Sequence, residues 1–217
     1  GDPLAEAVDG AVVDARAAPR GSLSQQARGA GIGILAGHVV TEARGGKRVS
    51  GVLVQAIDTQ DRLSGVSRTL DCDLVAVSGG FSPVIHLHCQ AGSKAVWDDA
   101  RAAFLPGKPA QSERSAGACQ GARTLRECAQ EGTAAGSAAA RALGLETAAT
   151  AAPDVAATRA GDLRALWLVP HPRGVSRAPK QFVDLQNDVA ASDIHLAIRE
   201  GYESIEHVKR YTALGFG

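Results

Sequence analysis

The sequence predicts an α/β fold followed by a small helical appendage, on three observations. A short apolar strand within residues 8–16 (VDGAVVDAR) ends on an acid, Asp14. A fully apolar run, Leu74–Val77, breaks on Ser78-Gly79-Gly80, the profile of a buried strand in a parallel sheet, and an Ala-rich helix follows over Arg123–Leu143. Beyond residue 180 the chain changes character, and an extended start (FVDLQND) leads into two short, charged helices.

The remaining elements follow in order. Ser22–Ala30 predicts a helix and Ile32–Leu35 a short strand. Val39–Ala43, Val49–Asp58 and Val66–Leu70 read as an antiparallel meander, turned at Gly45-Gly46 and at Thr59–Arg62. A loop rich in Pro, His and Gly comes after Gly80 and leads to Ser115–Gly121, just ahead of the Ala-rich helix. Residues 145–180 are proline-rich and read as a linker with one strand, Leu166–Val169. In the appendage, Ser192 and Asp193 supply a helix N-cap, and Ile194, Ala197 and Ile198 mark a buried face. Gly201 suits the left-handed residue that ends a helix. Ser204 caps a second helix with Ile205, Val208 and Tyr211 or Thr212 on one face, closed by Gly215.

Bulk composition excludes several classes. The 217 residues hold 23 Lys plus Arg and 23 Asp plus Glu, so no net field draws the chain to nucleic acid or to a membrane. No apolar run approaches the roughly 20 residues that span a bilayer, and no signal peptide is recognisable. Aromatics are few while Ala and Gly abound, which favours close backbone packing. Cys72, Cys89, Cys119 and Cys128 form no CxxC pair, so neither a zinc site nor a redox dithiol is signalled; free thiols in a reducing cytoplasm are expected. The absence of methionine and the abrupt ends on Gly1 and Gly217 lead to the expectation of an incomplete chain.

Two places carry chemistry of interest. An acid closing an apolar strand, as Asp14 does, is what a dinucleotide-binding fold uses to hold ribose hydroxyls, although no GxGxxG precedes it here. GAGIG at Gly29–Gly33 lies after the acid and before a strand, and reads as a loop glycine cluster. Ser115–Gly121 (SAGACQG) ahead of a helix offers small residues that let backbone N–H groups approach a phosphate or ribose, or that let the helix pack tightly on a sheet. Spacing leaves both open.

Other polar residues read as structural. His86 and His88 alternate along a segment read as extended, with no third ligand at metal spacing, and read as surface or satisfied histidines. Cys72 and Cys89 read as buried inert thiols. His195 and His207 fall on the two appendage helices as surface groups, and the charged residues Arg199, Glu200, Glu203, Glu206, Lys209 and Arg210 as solvated or interface faces. No catalytic constellation and no metal site is predicted. The residues alone give a dinucleotide-fold portion plus a helical appendage, and no named reaction.

Three blocks of sequence resemble one family. CDLVAVSGGFSPVIHLHCQAG (Cys72–Gly92) with WDDARAAFLPG behind it, SAGACQGARTLRECAQEGTAAGSAAARALG (Ser115–Gly144) and FVDLQNDVAASDIHLAIREGYESIEHVKRYTALG (Phe182–Gly215) are similar, in that order, to the α subunits of heterotetrameric sarcosine oxidases. The resemblance implies an interior part of a longer subunit. It implies a partial fold of two dinucleotide-binding domains, disulfide-reductase-like, followed by a helical hairpin domain resembling a ferredoxin-like [2Fe-2S] module without its cluster. Residues 1–112 would be the second dinucleotide domain lacking its first strand and Gly loop; 113–144 the return strand and helix of the first; 145–180 a linker; and 181–217 the hairpin domain.

The resemblance also implies function. The complex demethylates sarcosine to glycine oxidatively, forms hydrogen peroxide and passes the one-carbon unit to tetrahydrofolate. NAD would sit in this subunit, FMN at the interface with β, and FAD in β. The partners would be the β, γ and δ subunits, with tetrahydrofolate bound in a downstream domain. Gly117, Ala118, Gly121 and Asp14 are the expected cofactor contacts, and the catalytic residues lie mostly in β. Related flavin enzymes read A-G-D where this chain has Ala118, and loss of that acid agrees with NAD rather than FAD. Related amine and proline dehydrogenase subunits carry C-x-C where this chain has Asp184-Leu185-Gln186, and iron–sulfur clusters need thiolates. Phe216 stands where the family has a methionine. The alternatives are an α-like subunit of an opine, proline or hydroxyproline dehydrogenase, against which the lost C-x-C counts, or a non-catalytic assembly module.

Overall fold

A computed structural model describes residues 10–146, 151–156 and 163–216. The chain divides into two compact units, one formed by residues 1–76 and 164–217 and the other by residues 77–163. No described helix is long and apolar enough to cross a membrane.

The first unit opens with a parallel pair. Strand β1 (Ala11–Asp14) leads through helix α1 (Ser22–Gly29) to β2 (Gly33–Ala36), which lies parallel to β1 with Val12 opposite Ile34. Next comes the expected meander, β3 (His38–Gly45), β4 (Val49–Ile57) and β5 (Leu63–Asp71), in spatial order 3-4-5. β3 and β5 run longer than expected, and β4 ends one residue sooner. Val39, Val52, Val54 and Ile57 are buried; alternation puts Val52 and Val54 on one face of β4 and Ile57 on the other, so both faces of the meander are partly covered. Asp58 shapes the β4–β5 turn by accepting from the Gln60 and Arg62 N–H groups at 2.8 and 2.9 Å. The Arg164 guanidinium then ties that turn to the end of β1, donating to the Ala15 and Asp58 carbonyls and, at 2.7 Å, to Asp61.

The second unit holds helix α2 (His86–Gln90), the hairpin β6 (Ala95–Asp98) and β7 (Ala103–Pro106), a 3-10 turn at Gly117–Gln120 and the long helix α3 (Leu125–Ala142). Trp97 and Phe104 face each other across the hairpin edge-to-face, with ring centroids 5.1 Å apart. Thr124 and Glu127 form a capping box at the start of α3: Thr124 accepts from the Glu127 N–H at 3.2 Å and Glu127 from the Thr124 N–H at 2.9 Å. Alanine then carries the helix by propensity.

The appendage returns to the first unit. Strand β8 (Phe182–Asp184) pairs antiparallel with β9 (Val189–Ala190), and helices α4 (Ala191–Arg199) and α5 (Ile205–Thr212) follow. Val189, Ala190, Ala191, Ala197 and Val208 form its buried seam.

Several expectations are corrected. Leu74–Val77 is not a strand, and Leu74 and Val77 stand 75% and 87% exposed. A fully apolar strand is stable only with strands on both sides, and no described residue pairs with this run. Leu166–Val169 is irregular too. Its one regular feature comes from a side chain: the Gln181 amide donates to the Val169 carbonyl and accepts from the Val169 N–H, both at 2.8 Å, in place of a strand. Residues 113–116 pair with no strand among the described residues. His86 and His88 lie in a helix rather than an extended segment. The N-cap of α4 is Ala190, and Asp193 reaches back to its N–H at 2.8 Å, whereas Ser192 lies inside the helix. Ile198 and Ile205 are 59% and 69% exposed, since periodicity says which residues share a face but not whether a neighbour covers it. Gly201 takes the expected left-handed conformation (φ +93°), while Ala213 (φ +63°) takes it at the end of α5 ahead of Gly215.

Candidate functional site

A candidate site lies within the second unit, where α3 packs near the 3-10 turn. A cavity of about 400 Å³ is lined by side chains including His88, Glu113, Arg114, Ser115, Gln120 and Glu131. His88 anchors its wall. The imidazole is 2% exposed; its Nδ1 donates to Glu113 at 2.6 Å, and its Nε2 accepts the Gly107 N–H at 3.1 Å. Ser93 adds a second bond to the same Glu113 oxygen at 3.3 Å. A buried imidazole with both nitrogens engaged is a structural pivot, and it fixes where the Glu113 carboxylate sits.

Gly117 and Gly121 both lie beside this cavity's turn. Gly117 (φ +76°) donates its N–H to Glu131 Oε2 at 2.7 Å, so one turn of α3 reaches back to the chain that precedes it. Gly121 (φ +91°) is required by packing: a Cβ there would stand 2.8 Å from Leu105 Cδ2 and 2.9 Å from Arg101 Cδ. Arg101 also donates to the Gly121 carbonyl at 3.3 Å. Ala118, between them, is exposed. Gly121 thus serves close packing against Leu105 and Arg101, and the Gly117 N–H is already bonded to a carboxylate. Neither Glu131 nor Glu113 was singled out in the sequence. Glu131 lies in the second turn of α3, 14 residues after a left-handed glycine, and only the fold reveals that pairing.

Asp14, the fourth expected contact, belongs to the first unit. It closes β1 as predicted, but its carboxylate is engaged by the residue two positions on: Arg16 donates through its N–H and Nε to Oδ1 at 2.9 and 3.0 Å and through a terminal nitrogen to Oδ2 at 2.6 Å. The Arg16 side-chain hydrogen bonds hold the Asp14 carboxyl below the usual carboxylate range.

A second constellation sits in the appendage. Asp184 Oδ1 accepts from the Gln186 and Asn187 N–H groups at 2.9 and 3.1 Å; Oδ2 accepts from Asn187 Nδ2 at 2.9 Å and the Gly215 N–H at 2.8 Å. These bonds, the Asn187 side chain first among them, pull its pKa from 3.8 to about 2. Gln186 contributes its backbone here. His195 and His207 are exposed on α4 and α5. The four cysteines are free, and Cys89 is exposed rather than buried. Among the described residues no group of three or more His, Cys, Asp or Glu is placed to hold a metal ion.

Comparison with known proteins finds relatives along nearly the whole chain. Residues 178–217 match the Sarcosine oxidase A3 domain, the stretch that holds the Asp184 knot and both appendage helices. Sarcosine oxidase subunit alpha from Corynebacterium sp. (strain P-1) is 39% identical over 208 residues, which cover 94% of this chain and 21% of that protein. The chain is a homologue of part of sarcosine oxidase subunit alpha. The Rhizobium meliloti (strain 1021) subunit alpha agrees, at 36% identity over 94% of this chain and 19% of its own length. The chain thus spans about a fifth of the length of the curated relatives it matches.

Among solved structures, L-proline dehydrogenase from P. horikoshii shares the fold, with a TM-score of 0.57 over 96% of this chain and 40% of that one. At 18% identity this likeness concerns the fold alone.

Proposed function

We propose that the chain is a stretch of the α subunit of a sarcosine oxidase, in which it supports NAD binding and the interface with a flavin-bearing subunit. The observation that carries this reading is 39% identity sustained over 94% of the chain. The parent complex then removes the methyl group of sarcosine oxidatively, yields glycine and hydrogen peroxide, and delivers the one-carbon unit to tetrahydrofolate. FAD in β and FMN between α and β supply the redox chemistry, and the γ and δ subunits complete the assembly in the cytoplasm.

The residues of this chain have supporting roles. Gly117, Ala118 and Gly121 shape the turn against which NAD lies, and Asp14 with Arg16 closes a strand of the dinucleotide fold. The 181–217 hairpin acts as a ferredoxin-like scaffold in which Asp184 and Gln186 stand where cluster cysteines would be. A carboxylate that already accepts four hydrogen bonds supports that assignment, since it fills the turn with polar contacts of its own.

The test is substrate-dependent oxygen consumption by the purified complex that contains this subunit. Peroxide formed with sarcosine and not with proline is the expected outcome. Activity with proline or an opine but not sarcosine would move the chain to the α-like subunit of a dehydrogenase of the kind its fold also fits. No activity with any of them would leave the chain an assembly module.

A further inference from the structure

We infer that the cavity beside α3 takes the ribose of a nucleotide, with Glu131 as the acceptor of its hydroxyls and Arg114 serving the attached phosphate. The inference rests on the dinucleotide reading above and adds which part of the ligand lies here and which residue recognises it. Size comes first. About 400 Å³ accommodates a sugar with its phosphate and falls short of an entire dinucleotide. Charge comes second. The Gly117 N–H, a group that a phosphate could bond at this turn, is bonded to Glu131 Oε2 at 2.7 Å. An anion entering there would lose the amide and meet a carboxylate, whereas a hydroxyl donor meets an acceptor.

Glu131 keeps lone pairs on its second oxygen, so it can take a hydroxyl without releasing Gly117. Glu113 lines the same cavity as a second carboxylate, held in place by His88 and Ser93 through Oε1 alone. Two fixed acceptors match a vicinal diol, which offers two donors. Half-buried Ser115 and Gln120 add neutral groups that pair with either donors or acceptors. Arg114 sets this cavity apart from a simple cation site, because a guanidinium in the lining disfavours a cation and favours a phosphate attached to the sugar. Ala118, next in the chain after Gly117, offers no polar side chain. Glu131 brings a carboxylate to that turn from the following helix.

The experiment compares the intact complex carrying wild-type subunit, Glu131→Gln and Glu131→Ala, each freed of resident nucleotide. Equilibrium affinity is measured for NAD, for NAD analogues lacking the hydroxyls of either ribose, and for inorganic phosphate, with thermal midpoints alongside. Glu131→Gln keeps an oxygen for Gly117, so its midpoint should hold while NAD affinity falls about tenfold. One deoxy analogue should bind wild type about tenfold more weakly and show no further loss on Glu131→Gln, because the lost partners are the same pair. Phosphate affinity should stay level or rise. Unchanged NAD affinity in a folded Glu131→Gln complex overturns the inference and leaves NAD binding standing. Equal further losses for NAD and both analogues overturn it as well. A wild-type complex that binds no ribose-bearing ligand overturns this inference and the dinucleotide reading together.

Discussion

The Gly215 N–H donates to Asp184 Oδ2 at 2.8 Å, joining the β8–β9 turn to the end of α5 across 31 residues. The same carboxylate holds the turn itself through Gln186 and Asn187. One side chain thus closes the hairpin domain from both ends. Asp184→Ala should free the last residues: amide exchange at Gly215 should speed up at least tenfold while exchange in the buried seam at Val189 and Val208 stays slow. Equal exchange in variant and parent would show that the clasp does not hold the domain shut.

The clasp also titrates. With a folded pKa near 2 against 3.8 for a free carboxyl, its contribution is present above about pH 4 and is lost as pH falls through about 2. Acid titration followed at Gly215 should therefore show a transition in that window, and Asp184→Asn should abolish it. A transition of the same size in Asp184→Asn would place the acid sensitivity elsewhere.

Val54 is fully buried in the meander, at the centre of β4. Val54→Ala removes two methyl groups' worth of burial from a packed face and should cost about 2 kcal/mol, read as a lower urea midpoint with unchanged slope.

Thr124 closes its capping box with Glu127 at the exposed start of α3, where burial offers little else to fix the first turn. Thr124→Ala should cost about 1 kcal/mol, and Thr124→Ser should recover most of it, as thermal unfolding would report.

Gly121 is left-handed and lies against Leu105 and Arg101. Gly121→Ala meets both backbone strain and a close contact, so it should cost more than about 1 kcal/mol and loosen the β6–β7 hairpin. A neutral result would mean that the turn repacks freely.

How much was legible beforehand follows from where each signal resides. The meander, the Ala-rich helix and the two appendage helices are written in local periodicity and capping, and they formed where expected, with ends shifted by a few residues. Leu74–Val77 failed because an interior strand is defined by its neighbours, which composition does not supply. Leu166–Val169 failed because the ladder there is a glutamine side chain. The glycines at 117 and 121 were legible as a turn, but both phosphate approach and helix packing fit their spacing. The Glu131 bond that distinguishes them spans 14 residues and has no sequence pattern. Asp184 was legible only by contrast with cysteine-bearing relatives, and its four hydrogen bonds emerged from the fold.

Under the proposed function, the complex that contains this segment is an oxidase whose α subunit holds NAD. The most direct measurement is release of the nucleotide from the intact purified complex, with chromatographic identification and stoichiometry per α subunit. One NAD per α subunit and no iron–sulfur absorbance are expected. FAD in its place, or no nucleotide in α, would contradict it.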